Sequence, residues 1–190
     1  MLQLDTDHPI LDAAAVCFGR RGVRRTTIED IAAEAGVSRI TVYRQIGNRD
    51  EIVLRALLGV TDRFLQRAQP RLLACADLAE ALTQLVMETL RAARRDDVLL
   101  LFASEEQGAA GRPISGAPAP LFALYGETVA LLERELPGTL RPGTTPEEAG
   151  EWILRLTLSL LTIAPPAHRS RAETTRFVRR FITGGLGGTE

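Results

Sequence analysis

The sequence predicts an all-α fold of about nine helices. Three observations carry that expectation. Apolar residues recur at helical spacing over nearly the whole chain, and no period-two stretch of strand length interrupts them. Helix-start signals recur ahead of the apolar runs, at Thr27–Asp30, Asn48–Glu51, Thr145–Glu148 and Ser170–Glu173. In each, a Ser, Thr or Asn stands three residues before an acid, so both side chains can take backbone N–H groups the helix leaves unpaired.

The elements follow in order. Asp7 caps a first helix with Ile10, Ala14, Cys17 and Phe18 on one face, and Gly22 ends it. Thr27 opens a second, short helix carrying Ile28, Ile31, Ala32 and Ala35, stopped by Gly36. Ser38 caps a third, with Val37 and Val42 placed as a hydrophobic staple, running to about Ile46 before Gly47 breaks it. A fourth helix carries Val53, Ala56, Leu57, Val60 and Phe64 and should end before Pro70. The fifth, opened by Asp77–Glu80, turns Leu78, Leu82, Leu85, Val86 and Leu90 inward. Asp96 and Asp97 open a sixth through Leu99, Leu100, Phe102 and Ala103. The Gly-, Pro- and Ala-rich stretch from Gly108 to Pro120 reads as a loop. A seventh helix follows to Leu136. Thr145 with Pro146 at the first helical position opens an eighth, which stops near Pro165, and Ser170 opens a ninth, ended by Gly184.

The chain has 190 residues, 45% hydrophobic and 25% charged. That suits a globular protein of one domain, or a small module attached to a larger one, and is too apolar for disorder. No apolar run reaches the roughly 18 residues of a membrane span. The start, Met1 to Asp7, has no basic segment followed by an apolar one, so no signal peptide is expected and the location expected is cytoplasmic. Cys17 and Cys75 are too few and too far apart for a disulfide framework or a zinc site, and read as reduced buried thiols. Only His8 and His168 are available as histidines. With no nucleophile elbow, P-loop, dinucleotide-binding glycine pattern or zincin helix, no enzyme, metal or cofactor is expected.

All 23 basic residues are arginine. Seven of them (Arg20, Arg21, Arg24, Arg25, Arg39, Arg44 and Arg49) stand in residues 20–49 against three acids (Glu29, Asp30 and Glu34), a local charge of +4; sixteen against twenty-one leave −5 elsewhere. A basic block of this kind suits a nucleic-acid-facing module. Residues 27–46 have the spacing of a helix-turn-helix. Val37, Val42 and Ile46 face inward, which leaves Arg39, Ile40, Tyr43 and Arg44 as an outward ridge flanked by Thr41 and Gln45. On duplex DNA a tyrosine hydroxyl reaches phosphate, and Arg and Gln read base edges. Thr27 and Ser38 sit at helix N-termini, where exposed N–H groups attract phosphate. Arg20, Arg21, Arg24 and Arg25 read as a solvated rim adding non-specific attraction.

The run from Arg25-Thr-Thr-Ile-Glu-Asp-Ile-Ala through Gly36-Val-Ser-Arg-Ile-Thr-Val-Tyr-Arg-Gln-Ile-Gly-Asn-Arg-Asp-Glu-Ile52 resembles the N-terminal signature of TetR-family transcriptional regulators. The resemblance covers about residues 8–60; beyond it only chain length and helical architecture agree. It implies a helix-turn-helix DNA-binding domain at 1–48 (motif 27–46), a linking fourth helix, and a C-terminal helical ligand-binding and dimerisation domain at 49–190. By position it makes Thr27, Thr41 and Tyr43 phosphate contacts and Arg39, Arg44 and Gln45 base readers. Arg49 stands where the family carries a backbone-touching lysine. Two departures are Ile46, where an aromatic is common, and Ile40, where a small residue is common.

Met87, Phe102, Phe122, Tyr125 and Trp152 recur at helical spacing among leucines, as plain core or as the wall of a ligand pocket. Arg155 and Glu105 are either polar anchors of such a pocket or surface groups. The eighth helix is apolar most of the way round, from Trp152 and Ile153 to Leu161 and Ile163. A helix of that kind must be covered on both sides. A partner subunit covers the second side, with Leu154, Leu158, Leu161, Phe177 and Phe181 at a two-fold interface of four helices. The expected partners are therefore a palindromic double-stranded DNA operator, a second copy of the chain and an unknown, mostly apolar small-molecule effector. The expected function is a ligand-responsive repressor released by that effector. The alternative is a constitutive DNA-binding regulator with no effector.

Overall fold

A computed structural model describes residues 8–95, 118–163 and 169–187. The expected sixth helix with Phe102 and Glu105, the Asp7 cap, most of the Gly/Pro-rich stretch, Pro165, His168 and the last three residues lie outside them. Among the described residues there are eight α-helices: α1 (Pro9–Arg21), α2 (Ile28–Glu34), α3 (Arg39–Gln45), α4 (Arg49–Leu72), α5 (Leu78–Ala93), α6 (Pro118–Glu135), α7 (Pro146–Thr162) and α8 (Arg171–Gly185), with a 3-10 turn at Val23–Arg25. They form no sheet; one isolated antiparallel bridge joins Leu140 to Gly187. None of these helices is long and apolar enough to cross a membrane.

The chain packs as two units, residues 8–63 with 92–95, and residues 64–91 with 118–163 and 169–187. In the first, α1 buries Ile10, Ala14, Cys17 and Phe18, the face its spacing predicts, and Leu11 and Ala13 as well. His8 caps this helix: its Nδ1 accepts from the Ile10 N–H at 3.2 Å. Ile28, Ile31 and Ala32 of α2, Val42 and Ile46 beside α3, and Ile52, Val53, Ala56, Leu57 and Val60 of α4 are all buried. Each fully buried side chain of this size is worth about 1.5–3 kcal/mol relative to exposure. Packing on this core, more than helix propensity, therefore holds the seven-residue α2 and α3, which would not persist alone.

The second unit buries Leu72 of α4, Leu78, Leu82, Leu85 and Leu90 of α5, Leu121, Leu124, Tyr125, Val129 and Leu132 of α6, Ile153 of α7, and Val178 and Ile182 of α8. Helices α6 and α7 approach backbone to backbone where Gly150 meets Gly126. A Cβ on Gly150 would stand 2.4 Å from the Gly126 backbone nitrogen.

Three expectations need correction. Helix α4 runs through Pro70 to Leu72. At the C-terminal turn a proline removes few bonds, the Leu73 N–H still donates to the Gln69 carbonyl at 2.9 Å, and Leu72 is fully buried. Helix α6 begins at Pro118, inside the stretch read as loop, because a proline in the first turn forfeits only an N–H with no partner there. Cys75 is half-buried, not buried like Cys17.

Candidate nucleic-acid interface

The site is built on two caps and one glycine. The Thr27 hydroxyl accepts from the Asp30 N–H at 3.1 Å, and the Asp30 carboxylate accepts from the Thr27 N–H at 3.0 Å. The backbone N–H of Thr27, then its hydroxyl, hold the Asp30 carboxyl below the ordinary carboxylate range. At the far end of α2, Gly36 turns the chain at φ 67°, in the left-handed region that glycine enters at little cost. The Val37 N–H closes the turn on the Ala32 carbonyl at 2.9 Å. Ser38 then caps α3, accepting from the Thr41 N–H at 3.1 Å, with the two hydroxyls 2.8 Å apart.

Helix α3 is anchored by Val42, fully buried, and by Ile46 at its C-cap. Its other face is in solvent. Arg39, Ile40, Tyr43, Arg44 and Gln45 are exposed and Thr41 is half-buried. Ile40 is 76% exposed and Tyr43 45%. Positions 39/43 and 40/44 are neighbours one turn apart, so these side chains form one ridge. The Arg39 guanidinium lies 5.8 Å from the centre of the Tyr43 ring and donates to the Glu29 carboxylate of α2 at 2.6 Å. Every side chain the sequence assigned to the ridge is on it. Glu29 was missed, because nothing in its spacing shows that the turn brings α2's first residues to α3.

The rim arginines Arg20, Arg21 and Arg25 are exposed, and two of them are also paired. Arg20 pairs with Glu34 at 2.9 Å and Arg21 pairs with Asp30, so both brace α1 against α2. Arg49 donates to the Val23 carbonyl at 2.6 Å, which ties the start of α4 to the 3-10 turn.

A capped helix, a glycine turn and a second capped helix with an exposed polar ridge make up a helix-turn-helix. Residues 10–56 match the family described as bacterial regulatory proteins, tetR family. The N-terminal part of the chain is thus a tetR-family domain. An HTH-type transcriptional regulator of Mycobacterium tuberculosis is 26% identical over 175 residues, 91% of this chain and 81% of that one. The repressor KstR2 of the same species is 30% identical over 105 residues, 55% of this chain and 52% of its own. In fold, the chain is similar to the TetR-family repressor AlkX from Dietzia sp., with a TM-score of 0.66, 16% identity, and 93% and 94% of the two chains covered.

The described residues expected to line an effector pocket belong to the second unit. Met87 and Tyr125 are buried, and Phe122 and Trp152 are half-buried. The Tyr125 hydroxyl is 3.0 Å from that of Thr89, which donates to the Leu85 carbonyl at 2.8 Å; burial pushes the phenol well above its usual range. Arg155 is a surface group: it pairs with Glu151 at 2.7 Å and lies 5.1 Å over the Phe122 ring. A groove of about 300 Å³ lies elsewhere, on α8, lined by Arg169, Glu173, Arg176, Phe177 and Arg180.

Of the residues expected at a dimer interface, Leu158, Leu161 and Phe177 are half-buried. Phe181 is 51% exposed and packs on Phe177 at 4.9 Å between ring centres. Leu154 is a correction: it is buried within its own subunit and has little surface left to offer a second copy.

Proposed function

We propose that the chain is a dimeric repressor that reads a palindromic operator through α3 and is released by a small apolar effector. The observation that carries the DNA reading is the ridge of Arg39, Tyr43, Arg44 and Gln45, in solvent on a helix whose opposite face is buried. Tyr43, Thr41, Thr27 and the N-termini of α2 and α3 meet phosphates, while Arg39, Arg44 and Gln45 reach base edges. The apolar surface left at the end of α7 and on α8 supports the dimer, with the C-cap Ile163 at 68% and Phe181 at 51% exposure. Two copies present two recognition helices about 34–36 Å apart, or a longer multiple, as two half-sites require. Met87, Phe122, Tyr125 and Trp152 support an apolar effector. Helix α4 has residues in both units, and the effector acts by shifting this helix. A few kcal/mol of preference for the released state suffices for that switch.

The test starts with duplexes selected by the protein from a randomised library. Arg39→Ala and Arg44→Ala should each relax preference at particular base pairs, by about tenfold or more per lost bidentate contact. Unaltered preference in both variants rejects the base-reading assignment. A regulator without an effector is the second reading, and a thermal-shift screen with apolar compounds separates the two: only a cavity-bearing chain is stabilised.

A further inference from the structure

We propose that Glu29 is a specificity-determining residue, positioning Arg39 for base reading and setting a carboxylate against non-specific phosphate contact. The inference rests on the reading of α3 as the DNA-reading helix. Helix α2 carries three carboxylates. Asp30 and Glu34 are turned to Arg21 and Arg20 of α1. Glu29 is turned the other way, to the Arg39 guanidinium at 2.6 Å, and both side chains are well exposed. The Tyr43 ring bounds that guanidinium on a second side, 5.8 Å away. Hydrogen bonds from its own backbone N–H, then from Arg39 and Thr27, hold the Glu29 carboxyl below its ordinary range, so it stays charged at neutral pH.

A carboxylate on a phosphate-facing surface weakens binding to every sequence unless something offsets it. Here the offset is conditional. On a matching site Arg39 exchanges Glu29 for the paired acceptors of a guanine edge. On any other sequence either the ion pair persists, and Arg39 adds nothing, or it breaks and leaves Glu29 charged beside phosphate. Surface ion pairs are weak enough to exchange in this way. The pair also restricts Arg39's rotamers before DNA arrives, which lowers the ordering cost of the base contact.

Four proteins test this against two probes, the selected duplex and a scrambled duplex of equal length: wild type, Glu29→Gln, Glu29→Ala and Arg39→Ala. Glu29→Gln should bind the scrambled duplex about two- to fivefold more tightly, as loss of one exposed charge interaction allows. Its salt dependence should steepen by up to about 0.9 in log–log slope for each subunit. The selected-to-scrambled ratio should fall. Glu29→Ala should also broaden preference at the base pair that Arg39→Ala relaxes. Wild-type affinity and slope for Glu29→Gln on the scrambled duplex overturn the proposal, as does a wild-type preference profile for Glu29→Ala. Weaker binding of Glu29→Gln to the selected duplex with no change on the scrambled one also overturns it, since that outcome makes Glu29 a direct acceptor from cytosine. If Arg39→Ala relaxes preference and Glu29→Gln is silent, this inference alone fails. If Arg39→Ala is also silent, the reading of α3 fails with it.

Discussion

Replacing Gly150 by alanine should destabilise the C-terminal unit, against the usual effect of that exchange in a helix. In a helix interior Gly→Ala gains up to about 1 kcal/mol from propensity. At Gly150 the added Cβ would stand 2.4 Å from the Gly126 nitrogen, 2.8 Å from its Cα and 2.8 Å from the Tyr125 carbonyl carbon. All three are backbone atoms of α6, so no rotamer change relieves the overlap. Ordinary contact begins near 3.4 Å, and the helices must part by about 1 Å. A gap of that size forfeits up to about half of each dispersion contact along the seam. Overpacking of a tight core costs about 1–3 kcal/mol, and a backbone-on-backbone overlap belongs at the upper end. After the propensity gain, about 2 kcal/mol of net loss remains. For a chain of this size that lowers Tm by about 4–8 °C. Gly19, helical in α1, is the control: nothing lies within 4 Å of its Cβ position. Gly19→Ala should raise Tm by about 2–4 °C. Both values are read from far-UV circular dichroism melts. A Gly150→Ala protein that melts at or above wild type refutes the packing argument.

Other expectations follow from the same structure. Tyr125→Phe should cost about 0.5–1.5 kcal/mol, since Thr89 keeps its bond to the Leu85 carbonyl and is not orphaned; a larger loss in denaturant titration would mean that the hydroxyl has a further role. The Asp30 carboxyl should titrate below 3.8 by NMR, its ordinary value, and return toward it in Thr27→Ala. The sign follows from linkage: the folded value is the lower one, so this group's stabilisation is complete above the unfolded value and is lost as pH falls through the folded one. Phe181→Glu should convert the proposed dimer to monomer in sedimentation velocity, because it sets a charge on the apolar surface of α8 without touching buried Val178 or Ile182; an unchanged mass places the interface elsewhere.

The sequence made local structure legible because its signals are local. Thr27, Ser38, Thr145 and Ser170 reach backbone groups three residues on, so their caps can be read from spacing, and each is found in place. The inward set of α3 was legible for the same reason: Val42 and Ile46 are one turn apart. What spacing hides is any pairing across elements. Glu29 with Arg39, Arg20 with Glu34 and Arg49 with the Val23 carbonyl join residues 10, 14 and 26 positions apart. Pro70 and Pro118 misled because proline's cost depends on which turn it occupies, and that is known only once the helix ends are.

Those hidden pairings alter what the basic block can do. Its charge of +4 reads as an attraction for phosphate spread over the N-terminal face. Arg20, Arg21 and Arg39 each already hold a carboxylate, and Arg49 a carbonyl. Among the described side chains of the block, Arg25, Arg44 and Arg49 are left without an ion pair. Non-specific attraction scales with the number of phosphates that cations neutralise, so a face whose arginines are internally paired attracts less than its arginine count implies. Arg44 stands beside Tyr43 on the exposed face of α3. Pairing of Arg20, Arg21 and Arg39 therefore withholds part of the block's charge from non-specific phosphate contact, which favours discrimination over bulk affinity.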